Sequence, residues 1–469
     1  MDRLKAIFTP PKKADEAEYQ PLTDDNDTGT LEGSTYTVDD GEIEEVPFSW
    51  AEYCIFVLLG VAMLWSWNMF LAAAPYFQKR FASDPWVLEN FQSAITSTFT
   101  FTTLAAMLVL TNIQSTASYP FRISTGLLIN TFVFATMAFT TKYFLGISPG
   151  AYLAVMLVLV CLSAWSVGLI QNGALAYAGS FGRVEYTQAI MAGQGVAGVL
   201  PAIAQIFSVL FVAAPPPPNP ASSGEAEPAA APTSNAAGIY FLTAVLVSLL
   251  ALASFFPLVR RHNTLIEHRM AARLAESITS VEEAERAARR YVSIPRLFRK
   301  LPFVSGAVFM CMLVAMFFPV FTSKILSVHH GGGDDGRLSA PGVFIPLGFF
   351  FWNLGDLLGR MGAALPLWGL RDRPAALFAF AVARTLFLPL YLLCNIRGRG
   401  AVVDSDLFYL LVVQFPFGLT NGWLCSAAMM SAGEWVDDSE REAAGGFMGL
   451  ALVTGLTVGS LLSFTAAGI

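Results

Sequence analysis

The chain has 469 residues, of which 55% are hydrophobic and only 13% are charged, about half the charged share of a soluble domain. This composition excludes an ordinary soluble protein, because soluble packing cannot use so much apolar surface. We expect the chain to lie in a lipid bilayer and to bind no nucleic acid.

The first 50 residues are polar and contain many of the acidic residues that give the chain its net charge of -7. We predict a disordered, acidic, cytosolic tail over residues 1–50. No cleavable signal peptide is predicted, so the first apolar run should direct its own insertion. Residues 19–22 read Tyr-Gln-Pro-Leu and are similar to a Tyr-x-x-apolar sorting signal, which favours an endosomal or vacuolar membrane, with the plasma membrane left open.

After the tail, apolar runs of about the length that crosses a bilayer recur along the chain. Backbone groups must be paired inside lipid, so each run should be a helix. We therefore predict an all-α integral membrane protein with eleven transmembrane helices. The runs lie at residues 51–77, 90–111, 121–141, 150–178, 184–213, 237–259, 302–327, 341–367, 374–396, 406–432 and 443–466.

Two linkers divide the runs. Residues 214–236 are rich in Pro and Ala and predict an extended outer loop. Residues 260–300 carry ten Lys and Arg and a capping box at 280–283, which predicts a charged cytosolic loop with a surface helix. This loop separates a six-helix bundle at 51–259 from a five-helix bundle at 301–469. The excess of Lys and Arg in this loop indicates that the loop and the N-terminus are cytosolic and that the C-terminus is extracytosolic.

Enzymatic chemistry has little support in the sequence. The five cysteines lie in apolar runs and the four histidines in loops, so neither a disulfide framework nor a metal site is predicted. Serine-hydrolase motifs appear by spelling only, in short loops and in the wrong order. Gly193, Gly195 and Gly198 spell a dinucleotide fingerprint, but inside an apolar run they indicate helix packing. We predict no enzyme and no cofactor.

Span 8 carries the strongest chemical signal. Asn353, Asp356 and Arg360 follow at i, i+3 and i+7 and therefore share one face of the helix. Each charge costs about 2.5 to 3.5 kcal/mol near the centre of a membrane helix, so this face should point into protein. The residues alone allow two interpretations, a buried ion pair that fixes helix packing or a polar cavity for a ligand. An aspartyl protease is disfavoured, because no other run contains an aspartate beyond its first residue.

Other side chains favour the cavity, although each alone is more typical of helix packing. Trp67 and Phe349 offer flat walls for an aromatic ring. Arg384 in span 9 is more typical of a tie between helices than of a ligand contact. Polar side chains within the runs that favour a cavity include Asn68, Gln171, Asn172, Gln194 and Asn421. Pro319 and Pro416 interrupt spans 7 and 10, either as kinks or as parts of a gate.

Spans 1 and 5 resemble the equilibrative nucleoside transporter family. Residues 65–70 read Trp-Ser-Trp-Asn-Met-Phe and are similar to the family's Pro-Trp-Asn-Phe pattern, with Ser66 in place of the usual proline. Residues 189–198 read Ala-Ile-Met-Ala-Gly-Gln-Gly-Val-Ala-Gly and resemble its Met-Ser-Gly-Gln-Gly-Leu-Ala-Gly stretch.

Spans 8 and 10 extend the resemblance. Asn353, Asp356, Gly359 and Arg360 are similar to the family's Asn-x-x-Asp-x-x-Gly-Arg signature, which is the most specific match. Residues 420–424 read Thr-Asn-Gly-Trp-Leu and resemble its Ser-Asn-Gly-Tyr pattern. The similarity covers residues 52–464 outside the linkers.

The resemblance implies a facilitator with two bundles in a major-facilitator-like arrangement that moves purine and pyrimidine nucleosides down their gradient, acting as a monomer. It implies that Gln171 hydrogen-bonds the base and that Asp356 and Arg360 engage the ribose. The pocket would be completed by Trp67, Asn68, Phe349 and Asn353. The alternatives are a nucleobase carrier, a carrier coupled to protons through Asp356, and a membrane receptor that binds nucleosides without transporting them.

Overall fold

Over the residues that the computed structural model describes, eleven helices are long and apolar enough to cross a membrane, as the sequence predicts. The structure describes residues 48–113, 118–143, 146–211, 234–276, 292–329, 338–365, 369–463 and 465. In chain order, spans 1 to 11 are Trp50–Ala72, Pro85–Asn112, Tyr119–Tyr143, Pro149–Ser180, Val184–Ala204, Ala237–Arg261, Pro302–Thr322, Pro341–Gly362, Pro374–Tyr391, Phe408–Glu434 and Arg441–Ser463. The chain is a multi-pass integral membrane protein.

Some predictions fall outside the described residues. These are the disordered tail with its sorting signal, most of the outer linker and the capping box at 280–283. The helix of span 6 extends to Glu276, well past the apolar run. The orientation of the termini and the boundaries of the two bundles stay predictions.

The starts of the spans follow from local sequence. Spans 2, 4, 7, 8 and 9 each begin at a proline, which suits the first helical position because its missing N–H would have no helical partner there. Before span 2, the Asp84 side chain also accepts a hydrogen bond of 3.2 Å from the Val87 nitrogen.

Each half of the chain packs around its own aromatic cluster. In spans 1 to 6, Phe70, Phe134 and Phe241 are buried against one another. In spans 7 to 11, Phe321 stacks on Tyr391, with ring centroids 5.0 Å apart and planes 7° apart. The two clusters are separate, consistent with two helical bundles.

A polar hub lies inside the first half. Asn130 of span 3 is completely buried and donates to the hydroxyls of Ser66, at 2.6 Å, and Ser248, at 3.0 Å. Its carbonyl oxygen accepts from Ser163 at 3.3 Å. Four spans therefore meet at one satisfied amide. Span 1 continues as a helix through Ser66, where the family pattern has proline.

Spans 7, 9 and 10 depart from regular α-helix within the second half. Span 7 breaks at Met316, span 9 contains a 3₁₀ turn at Arg384–Leu386, and span 10 begins as a π-helix at Phe408–Gln414. Pro319 and Pro416 lie just after the departures in spans 7 and 10, where a proline removes a helical hydrogen bond.

The two halves meet where spans 4, 8 and 10 finish and spans 5 and 11 begin, which we call the closed end. Spans 5 and 8 pack together there, as do spans 4 and 11. The backbones approach closely: a Cβ at Gly179 of span 4 would lie 3.0 Å from the carbonyl oxygen of Arg441. With the predicted orientation, the closed end faces the cytosol.

Candidate functional site

An ion pair is buried in span 8. Arg360 donates from Nε to Oδ2 of Asp356 at 2.6 Å, and the two residues are 7% and 4% exposed. They lie four residues apart, with the acid nearer the N-terminus, the favourable order on a helix. The pair stabilises both charges inside the bundle, away from lipid.

The second carboxylate oxygen of Asp356 also has a partner. Asn421 of span 10, 1% exposed, donates from Nδ2 to Oδ1 of Asp356 at 2.7 Å. Spans 8 and 10 come this close because glycines face each other between them. A Cβ at Gly418 would lie 3.1 Å from the Asp356 nitrogen, and one at Gly422 only 2.9 Å from the Arg360 nitrogen.

Arg360 also reaches into the other half of the chain. Its Nη1 donates to the carbonyl oxygen of Met191, at 3.1 Å, and to Oε1 of Gln194, at 3.2 Å, both in span 5. One guanidinium therefore links Asp356 to the facing bundle. Such an arrangement satisfies a buried arginine with partners from both halves of the chain.

Asn353 lies on the same face of span 8, three residues before Asp356. Its Nδ2 donates to the carbonyl oxygen of Phe349 at 2.8 Å, and its Oδ1 is 2.7 Å from where a Cβ on Gly198 would lie. The Phe349 ring meets Phe318 edge-on at 5.2 Å. Asn353 and Phe349 are both partly exposed, and Phe349 packs against the aromatic cluster of the second half.

On span 1, Trp67 and Asn68 are also partly exposed. Trp67 packs against Phe99 with ring centroids 4.7 Å apart. Asn68 donates from Nδ2 to the carbonyl oxygen of Ala197 at 2.7 Å. Because Ala197 adjoins Gly198, the amides of Asn68 and Asn353 approach span 5 at neighbouring residues.

Gln171 of span 4 is 5% exposed, and its Nε2 has no hydrogen-bond partner among the described residues. A Cβ on Gly449 of span 11 would lie 3.8 Å from that nitrogen. A buried amide donor without a partner costs free energy unless a ligand or water satisfies it. Gln171 lies at the contact of spans 4 and 11, whereas the other predicted site residues lie around spans 1, 5 and 8.

Arg384 ties helices together, as the sequence predicts. It is 1% exposed and donates to the carbonyl oxygens of Cys311 in span 7, at 3.0 Å, and Phe417 in span 10, at 3.3 Å. Its guanidinium carbon lies 5.0 Å from the centroid of the Phe417 ring. The glycines of span 5 are confirmed as packing positions, since a Cβ on Gly193 would lie 2.9 Å from the Val61 nitrogen of span 1.

Arg122 and Gln188 are among the buried polar residues that the sequence patterns did not single out. Arg122 of span 3 is 7% exposed and donates to the Leu110 carbonyl oxygen at 3.1 Å and to Oδ1 of Asn172. Its position just inside an apolar run was a signal that could have been read. Gln188 at the start of span 5 gave no signal of that kind, because a glutamine near a helix end is ordinary.

Over the residues that the structure describes, no three His, Cys, Asp or Glu side chains are grouped to hold a metal ion. The chemistry available in the site is hydrogen bonding by one carboxylate, one guanidinium and several amides, beside aromatic walls.

Comparison with known proteins identifies similar chains. A model described as the nucleoside transporter family matches residues 155–467. The nucleoside transporter FUN26 of Saccharomyces cerevisiae is 28% identical over 454 residues, which cover 88% of this chain and 83% of that protein. Equilibrative nucleoside transporter 1 of Homo sapiens is 26% identical over 467 residues, covering 88% and 96%.

Solved structures support the fold. A crystal structure of the major facilitator superfamily transporter FucP in the outward conformation superposes with a TM-score of 0.50 at 14% identity, covering 89% of this chain and 92% of that one. At this identity the similarity shows the fold alone, a major-facilitator-like arrangement of helices.

Proposed function

Because the chain belongs to the nucleoside transporter family, we propose that it carries nucleosides across the membrane by exposing a central site to each side in turn. The observation that carries the proposal is the buried pair of Asp356 and Arg360, which lies between the two halves of the chain and bonds to both. Members of this family are transporters, so the protein is a transporter and not an enzyme.

Asp356 and Arg360 suit the ribose end of a nucleoside. Each oxygen of the Asp356 carboxylate receives one hydrogen bond within the protein, from Asn421 and Arg360. A carboxylate has about four lone-pair positions, so acceptor capacity remains for sugar hydroxyls. Arg360 has further N–H groups that match the hydroxyl oxygens.

Gln171 suits the base. Its unpaired Nε2 is a donor, and a primary amide both donates and accepts, as a base edge requires. Trp67 and Phe349 supply aromatic faces, and Asn68 and Asn353 keep their carbonyl oxygens as acceptors. The substrates proposed are purine and pyrimidine nucleosides, carried by a monomer in the plasma membrane or in a vacuolar or endosomal membrane.

Facilitated diffusion and proton coupling through Asp356 differ in how uptake depends on pH. Both oxygens of Asp356 accept hydrogen bonds from N–H groups, one of them from the charged partner Arg360. We propose facilitated diffusion. Uptake that changes little between pH 5.5 and pH 8 agrees with this, whereas uptake that rises steeply in acid indicates coupling.

Uptake of labelled uridine, adenosine and hypoxanthine in cells lacking their own carriers tests the proposal. We expect uptake of both nucleosides, loss of it in Asp356→Asn at matched expression, and little uptake of hypoxanthine, which has no ribose. Strong hypoxanthine uptake alone would make the protein a nucleobase carrier. Flux of uridine into sealed liposomes that contain the purified protein separates a transporter from a receptor that only binds.

A further inference from the structure

The geometry points to Asn421 as a positioning residue that aims the Asp356 carboxylate at the sugar hydroxyls and so sets the preference for ribonucleosides over nucleosides that lack those hydroxyls. This inference rests on the proposed function. It adds a residue of span 10 to a site otherwise built from spans 1, 4 and 8.

The orientation of the Asn421 amide follows from its neighbours. Its Oδ1 accepts from the thiol of Cys311 in span 7 at 3.3 Å, which leaves Nδ2 to point at Asp356. The sulfur of Cys311 in turn accepts from Nη1 of Arg384 at 3.0 Å. A chain of donors therefore runs from Arg384 through Cys311 and Asn421 to Asp356, and each link fixes the next.

This series of hydrogen bonds matters because Arg360 alone would leave the Asp356 carboxylate free to turn. Arg360 uses Nε on Oδ2 of Asp356, whereas carboxylate and guanidinium groups often pair through two parallel hydrogen bonds. Asn421 holds Oδ1 away from that bidentate geometry. Without the N–H of Asn421, the Asp356 carboxylate would turn fully toward Arg360 to form the second hydrogen bond. The free lone pairs of Asp356 would then no longer point at the sugar.

A packing role is the competing explanation, and the glycines argue against it. Spans 8 and 10 are already in contact through backbone at Gly355, Gly359, Gly418 and Gly422. Asn421 is thus not needed to bring the helices together. Its amide serves the carboxylate, and a substitution should change the direction of Asp356 more than the packing.

The test compares uridine with 2′,3′-dideoxyuridine, which lacks the 2′ and 3′ hydroxyls of the sugar, in liposomes that contain the full chain. For Asn421→Ala we expect KM for uridine to rise about tenfold, the loss expected for one hydrogen bond to a charged group. KM for the dideoxynucleoside should change less than twofold. Cys311→Ala should shift the ratio in the same direction, and Cys311→Ser, which keeps a donor, should lie nearer to the original chain.

Ser426→Ala is the matched control. Ser426 is a buried residue of the same helix, and its hydroxyl has no partner among the described residues, so its removal should leave the ratio of the two KM values unchanged. If Asn421→Ala raises both KM values equally, or lowers thermal stability and both rates together, Asn421 is a packing residue and the inference is wrong. Absence of uridine flux in the unsubstituted chain would contradict the proposed function instead.

Discussion

Gln188 donates from Nε2 to the carbonyl oxygen of Arg360 at 3.3 Å, so the residue that pairs with Asp356 also receives a bond across the boundary between the two halves. The same nitrogen lies 3.4 Å from the Met361 carbonyl oxygen, and Oε1 of Gln188 accepts from Tyr53 at 2.9 Å. Carbonyl groups at the end of a helix have no helical partner, and Gln188 supplies one. Closure of this end and the binding residues of span 8 are therefore connected.

Gln188→Ala should destabilise the closed end. Loss of the hydrogen bonds to span 8 is worth about 1 to 2 kcal/mol, which raises the population of the opened state about tenfold. Hydrogen exchange measured by mass spectrometry should become faster at the start of span 5 and the end of span 8. Tyr53→Phe should have a smaller effect in the same direction. Unchanged exchange in both variants would mean that Gln188 does not hold this end closed.

Neutralising the buried pair separates stability from transport. Asp356→Asn leaves Arg360 without its counter-charge, and breaking a buried pair in this way costs about 3 to 5 kcal/mol. The double variant Asp356→Asn with Arg360→Gln should recover most of the lost thermal stability but no uridine uptake. Glu434→Gln breaks an exposed pair with Arg371 and should cost less than about 1 kcal/mol. Uridine uptake by the stable double variant would refute the assigned binding role.

The hub at Asn130 predicts a stability effect without a binding effect. Asn130→Leu leaves the hydroxyls of Ser66, Ser163 and Ser248 without their partner, at a cost of about 2 to 3 kcal/mol. The melting temperature of the purified protein should fall, while KM for uridine in the folded fraction should stay within twofold. Thr136→Ala, at a half-buried position six residues along span 3 where the hydroxyl bonds to the Phe132 carbonyl oxygen of the same helix, should leave both unchanged. A changed KM would mean that the hub also shapes the binding site.

A charged cluster outside the membrane predicts a pH dependence. Lys300, just before span 7, bonds to Asp437 at 2.8 Å and to Glu440 at 2.6 Å in the connection between spans 10 and 11. Burial on its own lowers the pKa of Lys300, but the hydrogen bonds outweigh this and raise its pKa above 10.5. The hydrogen bond from Lys300 lowers the pKa of the exposed Asp437 carboxyl below its ordinary 3.8.

The directions of the two pKa shifts set the pH range over which this cluster stabilises the fold. The stabilisation that goes with the raised pKa of Lys300 is present below pH 10.5 and is lost at higher pH. The stabilisation that goes with the lowered pKa of Asp437 is present above pH 3.8 and is lost in acid. The melting temperature of Lys300→Met should therefore lie below that of the unsubstituted chain by a constant difference from pH 5 to pH 9. The difference should shrink below pH 3.8. A difference that varies between pH 6 and pH 8 would contradict this cluster as its source.

The spans were predictable because lipid imposes a simple rule on sequence. Eleven apolar runs became eleven helices, and the cost of two charges in span 8 placed Asp356 and Arg360 inside the protein. The ends of the runs were harder to predict. Span 8 ends at Gly362 instead of residue 367, because hydropathy does not register where a helix stops.

Partners across the bundle were not predictable. Nothing in the sequence near Asn421 indicates that its amide would reach Asp356, 65 positions earlier, because that contact depends on how two helices cross. Hydropathy likewise gave no sign that the donor of Asn68 would be taken by span 5 while that of Gln171 stayed unpaired. Composition sets which helices form, whereas crossing angles set which amides have capacity left for a ligand.

The glycines between spans 8 and 10 have a mechanical consequence. Where the two backbones are in contact, no flexible side chains lie between the helices. Spans 8 and 10 should therefore move as one rigid unit, joined at Gly355, Gly359, Gly418 and Gly422. We therefore expect Asp356 and Asn421 to move together during transport. Partners exchanged between the two halves should be those of Arg360, whose contacts with Met191 and Gln194 belong to the opposite half.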